Sequence, residues 1–283
     1  MTIAVGFRCT DGILLASDTL YSGTVQNDNG PKFWVLRDDD PLVVFGGAGT
    51  VGALTRARDE IQRALRKGSS FQRTLDAIDH VLEKIHKKFP PKTEAPHVQA
   101  LVVIRAEDRN ALYQNIYGET SLSPVDLPTT CLGVDTLGNY FTALLYRSEM
   151  PIKWARVVAA YLVKNCKTYA SGYCGGETHL IEVPNTGSPV RTTDRKTIEA
   201  LEAHLGQFDD AMHALLPGTD PNASDISIGH RWTVLKTAIE KARGLAVATI
   251  SPYSGAMALT GYPTTVSITE TPLPLKIASQ GEE

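Results

Sequence analysis

The chain begins with MTIAVGFRCTDGILLASDT at residues 1–19, and KFWVLRDDDPLVVFGGAGT follows at residues 32–50. Small and β-branched side chains dominate both segments, as they do in buried strands. The first segment is divided by Asp-Gly at residues 11–12, which is a hairpin turn signal because glycine tolerates positive φ. The second segment predicts strands at residues 32–37 and 41–47. We therefore expect two strand pairs in succession, after which the glycines of GGAG form a tight turn into a helix.

The rest of the chain alternates helical and strand patterns. Helices are expected at residues 50–66, 71–86, 137–169 with a restart at Pro151, 194–216 and 232–243. Strands are expected at residues 98–105, 111–117, 178–183, 245–250 and 263–269, with a loop or short ribbon at 20–31 and a loop at 217–229. This order predicts an α+β fold, a four-layer αββα sandwich in which two stacked sheets carry helices on their outer faces. We expect one domain over residues 1–283, with its core at 2–185 and an extension at 186–283.

Composition argues against several classes of function. The 283 residues include 28 Lys and Arg and 31 Asp and Glu, mixed along the chain, for a net charge of −3. That balance argues against a surface for nucleic acid or membrane, and no apolar run reaches the roughly 18 residues of a membrane span. The four cysteines form no C-x-x-C pair, and the seven histidines lack metal-ligand spacing. We therefore expect no metal or other cofactor and, without a signal-peptide pattern, a cytoplasmic protein.

Thr2 is the candidate nucleophile. If Met1 is removed, Thr2 carries a hydroxyl and a free α-amine, which are a nucleophile and its base on one residue. An α-amine has a pKa of about 7.7–8.0, and a nearby cation lowers that pKa by disfavouring the charged form. Lys32 is the candidate cation, Asp18 is its candidate counter-charge, and the N–H of Gly49 is a candidate oxyanion donor. Taken singly, each of these last three positions favours an ordinary structural role as a surface, cap or turn residue.

Taken together, these elements resemble a known family. The match is T-I-A-V-G-x-x-x-x-D-G-I-L-L-A-S-D-T, then K-F, then G-A-G-T before an amphipathic helix. This order is similar to that of a proteasome β-type subunit of the N-terminal-nucleophile (Ntn) hydrolase superfamily, and weaker likeness extends over residues 2–185. The resemblance implies that Thr2 is the nucleophile and that Asp18 and Lys32 form the charged pair beside it. It also implies that Gly49 is the oxyanion glycine.

The chain departs from this family at three accessory positions. Val134 stands where the family has a serine near the nucleophile, and Ser171 and Cys174 stand where it has an aspartate and a serine. In the family, those polar groups hydrogen-bond the nucleophile and its amine. The departures favour a divergent, bacterial-type relative over a standard core-particle subunit. They leave Ser171 and Cys174 as the weaker, accessory site candidates.

The resemblance implies a threonine-type endopeptidase that hydrolyses peptides or unfolded proteins through an acyl-enzyme. It also implies a homo-oligomer, which is a ring or stacked rings with inward-facing sites. The helix at 50–66 is then expected to be a contact surface between subunits. The sequence does not show whether an ATPase is a further partner. Two alternatives remain. The first is a non-peptidase amidase or acyltransferase of the same superfamily, which would be indifferent to peptides. The second is a non-catalytic assembly protein that keeps the fold. Acylation of Thr2 by an electrophile would exclude this second alternative.

Overall fold

The computed structural model describes most of the chain up to residue 240. The described residues are 2–21, 28–89, 98–115, 120–185, 187–215, 224, 229–237 and 239–240. The strands expected at 245–250 and 263–269 and most of the loop expected at 217–229 lie outside these residues. The expectation of one domain over residues 1–283 stays a prediction.

Short strands and longer helices alternate along the described chain. The strands are β1 (Ile3–Cys9), β2 (Gly12–Asp18), β3 (Leu20–Tyr21), β4 (Asp28–Asn29), β5 (Phe33–Arg37), β6 (Leu42–Gly49), β7 (Val98–Ala106), β8 (Arg109–Asn115), β9 (Leu122–Pro124), β10 (Thr129–Gly133), β11 (Thr178–Pro184) and β12 (Arg191–Thr192). The helices are α1 (Val51–Ala64), α2 (Phe71–Lys88), α3 (Asp135–Leu145), α4 (Ile152–Tyr169) and α5 (Arg195–Leu215). Residues 229–237 form a further helical segment.

The strands form two antiparallel sheets and a ribbon. The first sheet has the order β10-β1-β2-β11-β12, and the second has the order β5-β6-β7-β8-β9. β3 and β4 pair as a separate two-stranded ribbon. The predicted pairings of β1 with β2, β5 with β6, and β7 with β8 are confirmed.

Alternation of side chains along the strands places the two sheets face to face. Leu15 of β2 shares a buried cluster with Val44 of β6 and Val103 of β7, which belong to the other sheet. Its neighbour Leu14 points the other way and packs in a cluster with Ala159 of α4. α1 and α2 cover the outer face of the second sheet, and α3 and α4 cover that of the first. The predicted α+β fold, a four-layer αββα sandwich, is confirmed.

The glycine-rich segment differs from the tight turn that we expected. β6 runs through it to Gly49, so that all three of its glycines belong to a strand. A Cβ on Gly46 would lie 2.1 Å from the carbonyl oxygen of Lys32. A Cβ on Gly47 would lie 1.8 Å from the carbonyl oxygen of Gln99 in β7. These glycines therefore let two neighbouring backbone segments approach β6 closely. One of these segments contains Lys32.

β10 was missed by the sequence patterns. Its five residues are too few for a clear alternation, and they follow an irregular, proline-containing segment. The structure pairs β10 with β1 from Ile3↔Gly133 to Phe7↔Thr129. Because of this pairing, the end of β10 lies beside the start of β1.

The first part of the extension, α5, packs on α4. Leu201 and Leu205 of α5 share a buried cluster with Ala160 of α4. Lys167 of α4 lies 2.7 Å from Glu202 of α5, and the two form a salt bridge. Apolar burial and an ion pair thus hold α5 on the outer side of the first sheet. No helix in the described part of the chain is both long and apolar enough to cross a membrane.

Candidate active site

β1 and β10 together position Thr2. Thr2 immediately precedes β1 and is only 4% exposed. Its carbonyl oxygen accepts a hydrogen bond of 2.8 Å from the backbone N–H of Val134. Gly133 has φ +84, and a Cβ at this residue would lie 1.9 Å from the carbonyl oxygen of Thr2. Only glycine suits both this left-handed backbone and this close approach. A glycine at position 133 is therefore required to accommodate the carbonyl group of Thr2.

Asp18 ends β2 with its side chain fully buried. Its Oδ1 accepts hydrogen bonds from Thr2 Oγ1 at 2.5 Å and from the N–H of Ile3 at 3.0 Å. Its Oδ2 accepts a hydrogen bond of 3.0 Å from the N–H of Gly175. Hydrogen bonds to both oxygens offset the loss of hydration that a buried carboxylate suffers. Asp18 thus connects the hydroxyl of Thr2 to the loop that follows α4.

Lys32 immediately precedes β5 and is 2% exposed. Its Nζ lies 2.6 Å from Asp18 Oδ1 and also donates a hydrogen bond to Thr2 Oγ1. Burial lowers the pKa of Lys32 from its ordinary value of 10.5, because the interior disfavours the charged amine, and the neighbouring Asp18 opposes this effect. At a given pH, a larger fraction of Lys32 is therefore neutral than of an ordinary lysine. Its amine also contacts the candidate nucleophile directly.

A small cavity of about 50 Å³ opens beside these residues. Thr2, Lys32 and Gly49 all line it. An oxyanion donor must face the space in which the attacked carbonyl group sits. The structure thus brings Gly49 to the same cavity as the candidate nucleophile, and the four main site candidates lie together.

The two accessory candidates differ in where the structure places them. Cys174 is 1% exposed, and burial, with a smaller contribution from Asp18, raises the pKa of its thiol to about 12. The thiol is therefore protonated at neutral pH and serves as neither base nor nucleophile. Ser171 is exposed in the loop after α4, and none of the hydrogen bonds among the described residues joins it to Thr2. The structure does not bring Ser171 to the site.

Two glycines that shape the site were missed by sequence reasoning. Gly133 supports the backbone of Thr2, and Gly175 donates its N–H to Asp18. A signal for Gly175 was present in Tyr-Cys-Gly-Gly at residues 173–176. The sequence pattern had indicated the side chain of Cys174 as the accessory group, whereas the structure uses the backbone of the next residue.

Comparison with known proteins identifies a related fold in solved structures. No family model matches the chain, and neither does any curated protein. An Anbu (Gly-1) mutant from Hyphomicrobium sp. strain MC1 matches with a TM-score of 0.64 at 17% identity, over 80% of this chain and 100% of that one. Anbu (ancestral beta-subunit) from Yersinia bercovieri matches with a TM-score of 0.65 at 14% identity, over 78% and 100%. A structure described as the helical assembly of the Anbu complex from Pseudomonas aeruginosa matches with a TM-score of 0.63 at 16% identity, over 79% and 99%.

These neighbours correct the family expected from the sequence. The three matched structures reported above are Anbu proteins and not a specific proteasome β subunit, so the expected identification as a proteasome β-type subunit is wrong. The reason lies in what the matched residues do. These residues form the site and the strands that support it. Different groups of proteins with this fold need the same strands, so the match does not distinguish one group from another. At identities of 14–17%, the likeness to Anbu itself shows the fold alone.

Proposed function

We propose that the protein is an Ntn-type threonine peptidase whose nucleophile is Thr2 after removal of Met1. The observation that carries this proposal is the contact of the Thr2 hydroxyl with both Asp18 and Lys32 in a buried site. Covalent catalysis needs a nucleophile within hydrogen-bond reach of a base, and that base held by a third group. Thr2, Lys32 and Asp18 match these three roles.

In the first step, Thr2 Oγ1 bonds to the carbonyl carbon of the scissile amide, and the hydroxyl proton passes to an amine. Two amines qualify: Lys32 in its neutral form, which contacts Oγ1, and the α-amine of Thr2 once Met1 is gone. In its charged form, Lys32 would instead lower the pKa of that α-amine. The C–N bond then breaks as the leaving amine takes the proton, and an ester joins the acyl group to Thr2. Water hydrolyses the ester and restores the hydroxyl.

Asp18 and Gly49 support these steps in different ways. Asp18 orients the hydroxyl and the amine of Lys32 from one side, because its Oδ1 contacts both groups. We assign the N–H of Gly49 to the developing oxyanion, since Gly49 lines the cavity in which the attacked carbonyl would sit. Removal of one such donor typically slows a hydrolase by about 10²–10³-fold.

A non-catalytic assembly protein is the second candidate function, and one observation favours it. The accessory hydrogen-bonding groups that the family resemblance implies near the nucleophile are replaced by Val134 and by the protonated thiol of Cys174. Such a protein would keep the buried contacts of Thr2 only because they stabilise the fold. Reaction of Thr2 with an electrophile separates the two candidates, because a structural threonine would stay unmodified.

We further propose that copies of the chain assemble into a homo-oligomer with the sites facing inward. The neighbour described as a helical assembly supports an assembly of this kind. A mass by light scattering that is several times the 30.7 kDa of one chain is expected. A monomeric mass at all concentrations would rule this arrangement out.

Replacement of Thr2 tests the proposed activity. Thr2→Ala should reduce turnover of a fluorogenic peptide to background, because the attacking oxygen is gone. Thr10→Ala is the matched control: this exposed threonine lies in the turn between β1 and β2, away from the contacts of the site, and its loss should leave turnover unchanged. Undiminished turnover in Thr2→Ala would remove the nucleophile from the proposal. Turnover of a small amide but of no peptide would favour the amidase alternative.

A further inference from the structure

The cavity beside Thr2 is small, and polar and apolar groups share its lining. Its volume of about 50 Å³ is a third of the about 150 Å³ of an apolar cavity that holds benzene. Ala48 and Leu54, both buried, contribute to the lining, and so do Leu20 and the 43% exposed Val51. A phenylalanine side chain exceeds this volume, so part of it would stay outside the open side of the cavity unless a wall moves.

Tyr21 forms one wall of this cavity and is held in place from several sides. Its hydroxyl donates a hydrogen bond to the carbonyl oxygen of Pro31. A Cβ on Gly30 would lie 2.7 Å from Tyr21 Cε2, so the ring packs closely against the backbone there. Lys32 Nζ lies 5.7 Å from the ring centroid, within the range of a cation–π contact. These contacts hold the ring of Tyr21 in place. They oppose a rotation of the ring that would make room for a large substrate side chain.

No side chain of the described residues around the cavity offers an unengaged counter-charge to a charged substrate side chain. Among the described residues that line it, the one charged group is Lys32, which already contacts Asp18 and Thr2. A charged side chain that entered would lose hydration without gaining an ion pair. Size and charge together thus restrict what the cavity accepts.

We propose that the site takes a small, uncharged side chain, about the size of alanine, at the substrate residue whose carbonyl carbon Thr2 attacks, and that Tyr21 sets the upper limit of size. This inference rests on the proposed role of Thr2 as nucleophile. It adds the class of substrate to that role and assigns specificity to a residue outside the hydrogen-bonded group of Thr2, Asp18 and Lys32.

Acylation by activated esters tests the size limit without requiring a peptide substrate. The probes are the p-nitrophenyl esters of N-acetyl-alanine and N-acetyl-phenylalanine, with the full chain lacking Met1. Thr2 Oγ1 bonds to the acyl carbon, its proton passes to the neighbouring amine, and p-nitrophenolate leaves and is measured by absorbance. After correction for hydrolysis in buffer, the alanine ester should acylate Thr2 about tenfold faster or more, since a single misfitting methylene already costs a factor of about ten.

Substitutions of Tyr21 test whether its ring limits the size of the substrate side chain. Tyr21→Ala should remove most of the preference for alanine, whereas Tyr21→Phe, which keeps the ring, should retain it. Tyr140→Ala, which truncates an exposed aromatic residue on α3, is the control and should keep the wild-type ratio.

The outcomes that overturn the inference are distinct from failure of the proposed function. Equal acylation of Thr2 by both esters in the wild-type protein overturns the size limit while the nucleophile stands. An unchanged ratio in Tyr21→Ala overturns the assignment to Tyr21. If neither ester modifies Thr2, the proposed nucleophile fails, and the size limit falls with it.

Discussion

The Lys32→Met variant keeps a long side chain but removes the cation from a buried ion pair. Lys32 and Asp18 are 2% and 0% exposed and lie 2.6 Å apart. Loss of one partner from such a pair costs about 3–5 kcal/mol, because the other charge is left uncompensated. Asp18 keeps its hydrogen bonds from the N–H groups of Ile3 and Gly175, so we expect the lower end, about 3 kcal/mol. At about 2–4 °C per kcal/mol for a large domain, the Tm should fall by about 6–12 °C.

The same substitution should also slow acylation of Thr2. Lys32 is either the base or the cation that keeps the α-amine neutral, and loss of general-base assistance typically costs about 10²–10⁴-fold. Thermal unfolding gives the Tm, and release of p-nitrophenolate from N-acetyl-alanine p-nitrophenyl ester gives the rate.

The double variant Asp18→Asn/Lys32→Met separates stability from reactivity. It buries neither charge, so most of the lost Tm should return, whereas the acylation rate should stay low because the base is still missing. A Lys32→Met protein with the wild-type Tm would refute the buried coupling of Lys32 and Asp18. A double variant less stable than Lys32→Met alone would refute it as well.

Three further predictions concern pH, backbone and the extension. The acylation rate should rise with pH and level off below 10.5, because the neutral form of Lys32 takes the proton and burial lowers its pKa. A rate that still climbs above pH 10.5 would contradict this. Gly133→Ala should lower the free energy of unfolding by about 1–3 kcal/mol and slow acylation, because its Cβ would displace the carbonyl of Thr2. Gly52→Ala, where nothing lies within 4 Å of the added Cβ, is the matched control and should be neutral or stabilising by about 1 kcal/mol in calorimetry. Glu202→Gln should speed hydrogen exchange in α5, measured by mass spectrometry, because it removes a salt bridge to α4. Unchanged exchange would mean that the apolar packing and the salt bridge of Lys164 with Asp209 hold α5 without it.

The part of the site that the sequence predicted depends on local connections. Thr2 and Asp18 are 16 residues apart, and the hairpin of β1 and β2 returns the chain so that Ala4 faces Ser17. A tight turn fixes this register, so the Asp-Gly signal and the strand lengths suffice to bring the carboxylate to the threonine. Placing Lys32 needs the stacking of the second sheet, which the apolar strand pattern predicted only in outline.

The part that the sequence did not predict depends on contacts between distant segments. The hydrogen bond from Gly175 to Asp18 joins residues 157 positions apart, and no local pattern specifies the backbone of the loop after α4. The same loop turns Ser171 out to solvent, although the family likeness placed it near the site. The role of Gly133 likewise follows from the pairing of β10 with β1, a strand too short to be recognised from its side chains.

The mass of the N-terminal peptide shows whether Thr2 is the nucleophile, when protein from its native cells has reacted with N-acetyl-alanine p-nitrophenyl ester. We expect a peptide that starts at Thr2 and carries one acetyl-alanyl group on the Thr2 oxygen, as an ester that hydroxylamine removes. A peptide that uniformly retains Met1 and carries no adduct on Thr2 would rule out Thr2 as the nucleophile. The buried contacts of Thr2 would then serve the fold alone.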